Sequence, residues 1–180
     1  MRTLYLIGGP MGVGKTTVCQ IMKRHLPRAA FLDGDWCWDM DPFVVTEETK
    51  AMVLGNIRHT LSGFLRCSAF ENVIFCWVLH RQDIRDAVLA GLDTDDWRVV
   101  HVSLVCAPET LRRRLEEDVR RGLRSPDVIG RALGYLPLYG VLEVPRLDTT
   151  GLTPAQAARM LADWSDPIPV SYTHLTLPTT

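Results

Sequence analysis

The stretch that decides the fold runs from residue 3 to residue 25 and reads TLYLIGGPMGVGKTTVCQIMKRH. Residues 3–7 are an apolar run of strand length, and residues 15–25 have helical periodicity that ends before Pro27. Between them lies a glycine-rich turn with the spacing G-x-x-x-x-G-K-[ST]. A buried strand, a glycine-rich loop and a helix, in this order, predict the first unit of a parallel α/β fold.

The glycine-rich loop is typical of a site that holds phosphate groups. Its glycines let successive backbone N–H groups point inward, and the N-terminus of the next helix adds partial positive charge. Lys15 would bridge the β- and γ-phosphates of a nucleoside triphosphate, and the Thr16 hydroxyl would bind Mg²⁺. We therefore expect ATP and Mg²⁺ as cofactors, with the nucleotide bound by Gly9, Pro10, Met11, Gly12, Val13, Gly14, Lys15, Thr16 and Thr17. The alternative, a turn with a surface lysine, is disfavoured by the strand and helix around it.

Length and composition are those of one globular domain. The 180 residues are 47% hydrophobic and 23% charged, which is enough apolar material for a core. The net charge of −1 gives no electrostatic footprint for nucleic acid or for an anionic membrane. The five cysteines form no Cys-x-x-Cys pair, which favours reduced thiols over disulfides or a zinc site. No apolar run is long enough for a signal peptide or a membrane span, so we expect a cytoplasmic protein.

Apolar runs of strand length alternate with segments of helical period along the rest of the chain. The predicted strands cover residues 3–7, 29–32, 72–79, 98–106 and 144–148. The predicted helices cover residues 15–25, about 47–67, 82–92 and 108–121, with further helices starting near residues 127 and 154. This alternation predicts a parallel sheet with helices on both faces.

Two carboxylates at the end of the second predicted strand are candidates for the phosphate chemistry. That strand ends in Leu32-Asp33-Gly34-Asp35, whereas the strand at residues 72–79 has no acidic residue at its end. Phosphoryl transfer needs Mg²⁺ held on the side away from the loop, and Asp33 and Asp35 offer the oxygen atoms for it. No Asn/Thr-Lys-x-Asp run of the kind that reads guanine is present, which argues against a GTPase switch.

A phosphate-binding loop followed by Asp-x-Asp at the end of the second strand resembles small P-loop kinases of the shikimate, gluconate and nucleotide kinase group. Residues 3–162 also resemble a bacterial group of AAA-family ATPases and nucleotide kinases, through LYLIGG, MGVGKTT, FLDGDWCWDMDPF and TEETK. The resemblance implies a three-layer P-loop NTPase fold with sheet order 2-3-1-4-5 and a kinase domain over residues 1–169. It implies that Asp33 helps to hold Mg²⁺ through water and that Asp35 orients or deprotonates the acceptor hydroxyl. The alternative for both aspartates is helix capping or a polar turn.

The acceptor side departs from the pattern of that group. Shikimate kinases have a glycine-rich turn after the third strand, where this chain has WVLHR at residues 77–81. The polar signature of gluconate kinases is replaced by WCWD at residues 36–39. We expect the acceptor region at about residues 36–67 and an acceptor that is neither shikimate nor gluconate. The tryptophans of the two stretches could line a wall for a ring-shaped acceptor, or Trp38 and Trp77 could simply fill space.

An arginine-rich segment is the other functional candidate. Residues 112–131 contain seven arginines and four acidic residues, a local charge of +3. The resemblance implies a lid at about residues 120–131, with Gly122 as its hinge. Arg120 and Arg124 flank this glycine and would stabilise transition-state charge.

The arginines at the start of the helix predicted over residues 108–121 have a different expected role. Arg112 or Arg113 would stack on the adenine ring of ATP. The alternative is a solvated helix face with i,i+4 ion pairs such as Arg113–Glu117.

The predicted function is Mg²⁺-dependent transfer of the ATP γ-phosphate to a hydroxyl or phosphate of a small molecule or nucleotide. The expected catalytic residues are Lys15, Asp35, Arg120 and Arg124, with Thr16 and Asp33 at the metal. Two alternatives stay open: an ATP-hydrolysing regulator, and a kinase of the 5′-hydroxyl of RNA or DNA. The absence of a wider basic stripe argues against the polynucleotide kinase.

The last eleven residues, 170–180, do not follow the pattern of the rest of the chain. They are threonine-rich and uncharged, and they resemble the read-through translation of a sequencing adapter. We expect this tail to be non-native and the authentic sequence to end near Pro169. A genuine flexible tail is the alternative.

Overall fold

The computed structural model describes residues 1–164, which form five strands, seven α-helices and one short 3₁₀ helix. The strands are β1 Arg2–Gly8, β2 Ala29–Asp33, β3 Asn72–Cys76, β4 Trp97–Val105 and β5 Arg146–Asp148. The helices are α1 Lys15–His25, α2 Glu47–Arg66, α3 Gln82–Leu89, α4 Pro108–Arg120, α5 Val128–Tyr135, α6 Leu138–Val141 and α7 Pro154–Ala162, and the 3₁₀ helix is Gly34–Trp38. The tail predicted at residues 170–180 and the domain end near residue 169 lie outside the described residues.

The five strands form one parallel sheet in the order β2-β3-β1-β4-β5. The predicted P-loop NTPase fold with order 2-3-1-4-5 is therefore confirmed. Because β1 lies in the middle, the loop after it emerges between the ends of β3 and β4. A ligand crevice is expected at this edge, where the strand order reverses.

The sheet separates two apolar cores, as a three-layer fold requires. Alternate residues of β1 point to opposite faces: Tyr5 and Ile7 join the core covered by α1, α4, α5 and α7, while Leu4 and Leu6 join the core covered by α2 and α3. All four side chains are nearly or fully buried. Within residues 1–164, no helix is both long and apolar enough to cross a bilayer.

Helix starts follow the capping signals of the sequence. The Thr46 side chain caps α2 and the Thr153 side chain caps α7, each in a reciprocal capping box with the residue three positions on. Pro108 occupies the first turn of α4, where its missing N–H costs nothing. These local signals explain why the predicted starts of the three helices agree with the structure.

The third strand is shorter than the sequence predicts, because it ends at Cys76 and not at residue 79. The chain still follows β1 briefly, since the Trp77 N–H donates to the Ile7 carbonyl at 3.2 Å. It then turns away at Leu79, which has a φ of 42°. Leu79 is fully buried, so its apolar character reflects core packing outside the sheet.

Other differences concern short elements and element ends. Helix α3 ends at Leu89 and not at residue 92, because the chain reverses at Gly91 with a φ of 77°. The 3₁₀ helix and α6 were not predicted, since neither is long enough to establish an apolar period. The last strand begins at Arg146 and not at residue 144.

Candidate active site

The P-loop, residues 9–16, connects the end of β1 to the start of α1. Gly14 precedes the helix with a φ of 103°, a conformation that an L side chain rarely adopts. Val13 is 2% exposed and anchors the loop in the core. The first turn of α1 contains no acidic residue, so nothing on this helix opposes an anion at its N-terminus.

Lys15 is held against the loop that it follows. Its Nζ donates to the carbonyl oxygen of Gly9 at 2.9 Å and to that of Pro10 at 3.0 Å, and the residue is only 8% exposed. Burial lowers the pKa of the Lys15 ammonium, while the charges of Asp35 and Asp33 act in the opposite direction. The ammonium therefore lies at the phosphate-binding loop and needs an anionic partner to offset its desolvation.

A cavity of about 690 Å³ lies above the P-loop. It is lined by Met11, Gly12, Gly14, Lys15, Thr16 and Thr17 from the loop and α1. Gly9, Pro10 and Val13 complete the loop behind this lining. The opposite wall comes from α4 and the turn after it, including Arg120 and Arg124. The structure thus brings the predicted loop residues and the two predicted lid arginines to one cavity.

The carboxylates after β2 connect the P-loop to the neighbouring strand. The Thr16 hydroxyl donates to Asp33 Oδ2 at 2.6 Å, and the Asp35 N–H donates to Asp33 Oδ1 at 3.0 Å. Asp33 therefore caps the 3₁₀ helix and contacts the P-loop at the same time. Asp35 Oδ1 accepts a hydrogen bond from the Trp77 indole Nε1 at 3.2 Å. The Asp33 carboxylate is thus bonded to both the Thr16 hydroxyl and the Asp35 backbone, and the Trp77 indole holds the Asp35 carboxylate.

The environment of Asp35 shifts its acidity. Its side chain faces an open cavity, yet the walls of that cavity partly remove it from water. This desolvation and the nearby Asp33 raise the pKa of Asp35, while Lys15, the Trp77 hydrogen bond and Arg124 lower it by less. A carboxylate with a raised pKa next to a phosphate site is suited to accept a proton.

A second cavity, of about 1100 Å³, meets the first at Met11, Thr16, Asp35 and Arg124, which line both. The predicted acceptor region contributes Trp36, Trp38, Asp39, Phe43, Lys50 and Leu54. Further lining comes from residues that the sequence did not assign to the acceptor side: Asp83, Ile84 and Ala87 of α3, and Val128, Arg131 and Tyr135 of α5. The sheet order was the available signal, because it places the segments after β2 and β3 side by side.

The arginines of α4 are arranged differently from the prediction in one respect. Arg112 is exposed and does not line the nucleotide cavity, whereas Arg113 and Arg114 do. Successive helix residues point about 100° apart, so a change of one position moves a side chain to another face.

Arg114 donates to the carbonyl oxygens of Val13 and Thr149, at 3.2 Å each, and so connects the P-loop to the segment after β5.

The two lid arginines form ion pairs with acidic residues of α4. Arg120 lies 2.6 Å from Glu117, and Arg124 lies 3.2 Å from Asp118. Glu117 thus pairs with Arg120 and not with Arg113, its partner in the alternative of a solvated helix face. Helix α4 ends in the turn at Gly122, where the N–H of Leu123 donates to the Asp118 carbonyl. Exposed pairs of this kind contribute at most about 1 kcal/mol, so a phosphate could displace either carboxylate from its arginine.

The sheet order and the P-loop define a protein with the P-loop kinase fold. Residues 6–124 match the model of an AAA domain family, and this chain belongs to that family. The match contains the P-loop, both aspartates after β2 and α4. No curated protein sequence matches the chain.

Solved structures of several kinases are among those similar to this chain. A sugar kinase from Janibacter sp. HTCC2649 is 16% identical with a TM-score of 0.68, over 91% of this chain and 94% of that one. A gluconokinase from Sinorhizobium meliloti 1021 is 18% identical with a TM-score of 0.62, over 90% and 91%. A shikimate kinase from Acinetobacter baumannii is 20% identical with a TM-score of 0.59, over 89% and 90%. At these identities the likeness establishes the fold.

Substitution of Gly34 by alanine is expected to lower the free energy of unfolding by about 1–3 kcal/mol, because it overpacks the site. A Cβ at Gly34 would lie 2.6 Å from Cγ of Trp77, at the root of the indole ring. Urea denaturation measures the change. Gly63→Ala is the matched control: Gly63 is an exposed residue of α2 with no atom within 4 Å of the Cβ that alanine would add, and the substitution should raise stability by roughly 0.5–1 kcal/mol. Equal effects of both substitutions would contradict the packing of Trp77 on Gly34.

Proposed function

We propose that this protein is a Mg²⁺-dependent phosphotransferase that moves the γ-phosphate of ATP to a hydroxyl or phosphate of a small molecule. The observation that carries the proposal is the junction of two cavities at Thr16 and Asp35. One cavity lies over a phosphate-binding loop, and the other has room for a second substrate. Such an arrangement lets an acceptor group approach the terminal phosphate in line with the leaving ADP oxygen.

The polar residues at the junction and in the nucleotide cavity each have a role in this proposal. Lys15 and the P-loop N–H groups bind the β- and γ-phosphates, and Arg120 and Arg124 stabilise charge on the transferring group. Asp35 orients the acceptor hydroxyl and accepts its proton. The oxygen–phosphorus bond to the acceptor forms as the bond to the β–γ bridging oxygen breaks, and ADP leaves.

Thr16 and Asp33 would hold the metal ion. Their side-chain oxygens lie 2.6 Å apart, and oxygen is the ligand type that Mg²⁺ prefers. Within residues 1–164, no three His, Cys, Asp or Glu side chains form a metal-binding cluster. A site of few protein ligands agrees with Mg²⁺, which usually keeps water and takes phosphate oxygens from the substrate. The bound ion would neutralise negative charge on the β- and γ-phosphates.

The kinase domain in this proposal covers residues 1–169, with a lid at residues 120–131. The turn after α4 carries Arg124, which lines both cavities, so closure of this segment would bring positive charge over the transferring phosphate. The acceptor region includes residues 36–67 and extends to α3 and α5.

The function is tested by incubating the full chain with ATP labelled with ¹⁸O in the γ-phosphate, Mg²⁺ and a bacterial metabolite extract. Mass spectrometry then searches for labelled phosphorylated products, with Lys15→Ala as the control. The proposal expects a labelled product that the control lacks. Formation of ADP without any labelled product would contradict it and favour the ATP-hydrolysing regulator or a polymer substrate, which an assay with RNA at low and moderate salt would separate.

The pH dependence of transfer should respond to the indole of Trp77. Only ionised Asp35 accepts a proton, so transfer is lost as the pH falls through the raised pKa of this residue. Trp77→Phe removes the hydrogen bond that lowers this pKa, and the acid limb of kcat/KM should move to higher pH. Trp36 is not among the groups that shift the pKa of Asp35, so Trp36→Phe should leave the limb in place. An unmoved limb in Trp77→Phe would exclude Asp35 as the titrating group.

A further inference from the structure

Aromatic rings dominate the wall of the second cavity. Five Trp, Phe and Tyr side chains line it, namely Trp36, Trp38, Phe43, Trp77 and Tyr135, and the imidazole of His80 adds a sixth ring. With about 1100 Å³, the cavity is large for a monosaccharide and slightly above the usual range of small-molecule sites, about 300–1,000 Å³. The lining therefore favours an acceptor with a planar face of its own.

Contacts between neighbouring rings of the wall fix the orientation of four of them. His80 and Tyr135 are stacked with centroids 4.4 Å apart and planes within 7°. Trp38 packs against Phe43 with centroids 5.7 Å apart. Rings that already have partners lose little conformational freedom when a ligand binds, which favours affinity.

The side chains of Trp36 and Phe43 are not buried in the core. Trp36 is 51% exposed and Phe43 is 65% exposed, although both line the cavity. Trp77, in contrast, sits over Gly34 and holds Asp35 in place. Half-exposed aromatic side chains at the mouth of a cavity are available to stack on a ligand.

The charges of the cavity oppose an anionic acceptor. Four aspartates line it, Asp33, Asp35, Asp39 and Asp83, against three cationic side chains, Lys50, Arg124 and Arg131. Each cation also has a carboxylate beside it, which offsets its charge: Glu47 at 2.8 Å, Asp118 at 3.2 Å and Asp127 at 3.0 Å, respectively. Burial and the neighbouring Arg81 lower the pKa of His80, which favours the neutral imidazole. A carboxylate or phosphate on the acceptor would find no surplus of positive charge here.

From these observations we infer that the acceptor is a neutral hydroxyl compound with a planar ring, of the nucleoside class. The inference rests on the proposed phosphotransferase function and narrows it to a hydroxyl acceptor. The ring stacks on the aromatic wall, and its hydroxyl group reaches Asp35 at the junction of the two cavities. The hydroxyl oxygen forms the new bond to the γ-phosphorus, its proton passes to Asp35, and ADP leaves with the bridging oxygen.

Binding is tested first, with a ring panel of adenosine, guanosine, cytidine and uridine. Three of the five tryptophans of the chain line the cavity, so intrinsic fluorescence reports on its occupation. Shikimate and gluconate serve as the anionic comparison. The inference expects a saturable fluorescence change with at least one member of the panel below about 1 mM, and none with the two carboxylates.

Transfer is tested next, with ¹⁸O-labelled ATP and each compound of both sets. Trp36→Ala should weaken kcat/KM for the accepted panel member by roughly tenfold, the size of one lost stacking contact, and leave displacement of a fluorescent ATP analogue unchanged. Val45→Ala is the matched control, because Val45 is 54% exposed in the same segment and does not line the cavity. It should leave both quantities unchanged.

The outcomes separate the inference from the function on which it rests. Failure of the wild-type chain to bind the ATP analogue would contradict the proposed function itself. Normal ATP binding with no response to any panel member, or with transfer to shikimate or gluconate, would overturn the inference alone. Equal loss in Trp36→Ala and Val45→Ala would remove the aromatic wall from acceptor recognition.

Discussion

Asp35→Asn is expected to lower the rate of phosphoryl transfer by roughly 10²–10⁴-fold, the usual contribution of a general base. The amide oxygen of asparagine can still accept the Trp77 indole N–H, so the side chain keeps its position and loses only its ability to take a proton. Because Asp35 lies at the edge of the nucleotide cavity and not in the P-loop, ATP affinity should change little. Single-turnover transfer and displacement of a fluorescent ATP analogue measure the two quantities separately.

Asp35→Asn should not lower the free energy of unfolding at neutral pH. The fold raises the pKa of Asp35, so the native state disfavours the ionised form relative to the unfolded chain. The resulting destabilisation is present at neutral pH and fades as the pH falls and the carboxylate becomes protonated. Asp35→Asn should therefore be at least as stable as the wild type in urea at neutral pH, which separates a lost proton acceptor from a damaged fold.

Asp41→Asn is the control for this substitution. Asp41 is exposed in the same segment of chain and lines neither cavity. It should transfer phosphate at the wild-type rate. Near-normal transfer by Asp35→Asn would remove this residue from the proton transfer, whatever the result for Asp41→Asn.

The sequence predicted the sheet and the P-loop well because both depend on local patterns. Residues 3–25 combine an apolar strand, glycines at the required positions and a helical period, and each feature acts within a few residues. The order of the five strands then followed from the resemblance to small P-loop kinases. Long, regular elements such as α2 also carry enough apolar repeats to identify their periodicity.

The parts that were missed depend on contacts between distant residues. Periodicity could not place Tyr135 next to His80, although their rings stack across 55 positions of sequence. It also could not choose between Arg112 and its neighbours, since that choice depends on the rotation of α4 against the P-loop. The turn at Leu79 was hidden for another reason: an apolar residue is buried in the same way inside and outside a sheet.

The residues that hold Asp35 illustrate both kinds of information. The spacing of Asp33 and Asp35 after a strand is visible in the sequence, and it directed attention to this turn. That Trp77 donates its indole N–H to Asp35 follows only from the parallel pairing of β2 with β3, which places Asp33 opposite Cys76. A tryptophan that the sequence could assign only to a wall or to packing thus has a defined polar contact.

Lys15→Ala is expected to lower both ATP affinity and phosphoryl transfer, the latter by roughly 10²–10³-fold, the cost of removing one well-placed charge-stabilising group. The Lys15 ammonium is the cation nearest to the loop carbonyls, and no other lysine is within the P-loop. Binding of the fluorescent ATP analogue and single-turnover transfer should fall together, unlike in Asp35→Asn, where transfer alone falls.

Stability distinguishes this effect from collapse of the loop. Removal of Lys15 leaves the Gly9 carbonyl oxygen without the Nζ donor, at about 1–3 kcal/mol, while the Pro10 carbonyl keeps the Val13 N–H at 3.4 Å. It also removes a buried cation whose charge the fold disfavours, as its lowered pKa indicates. These effects oppose each other, so the unfolding transition should move little. Lys23→Ala, in the last turn of the same helix, controls for loss of a lysine and should retain binding and transfer. Retained ATP binding in Lys15→Ala would mean that the loop N–H groups hold the phosphates without the ammonium, and the role of Lys15 would be confined to the transition state.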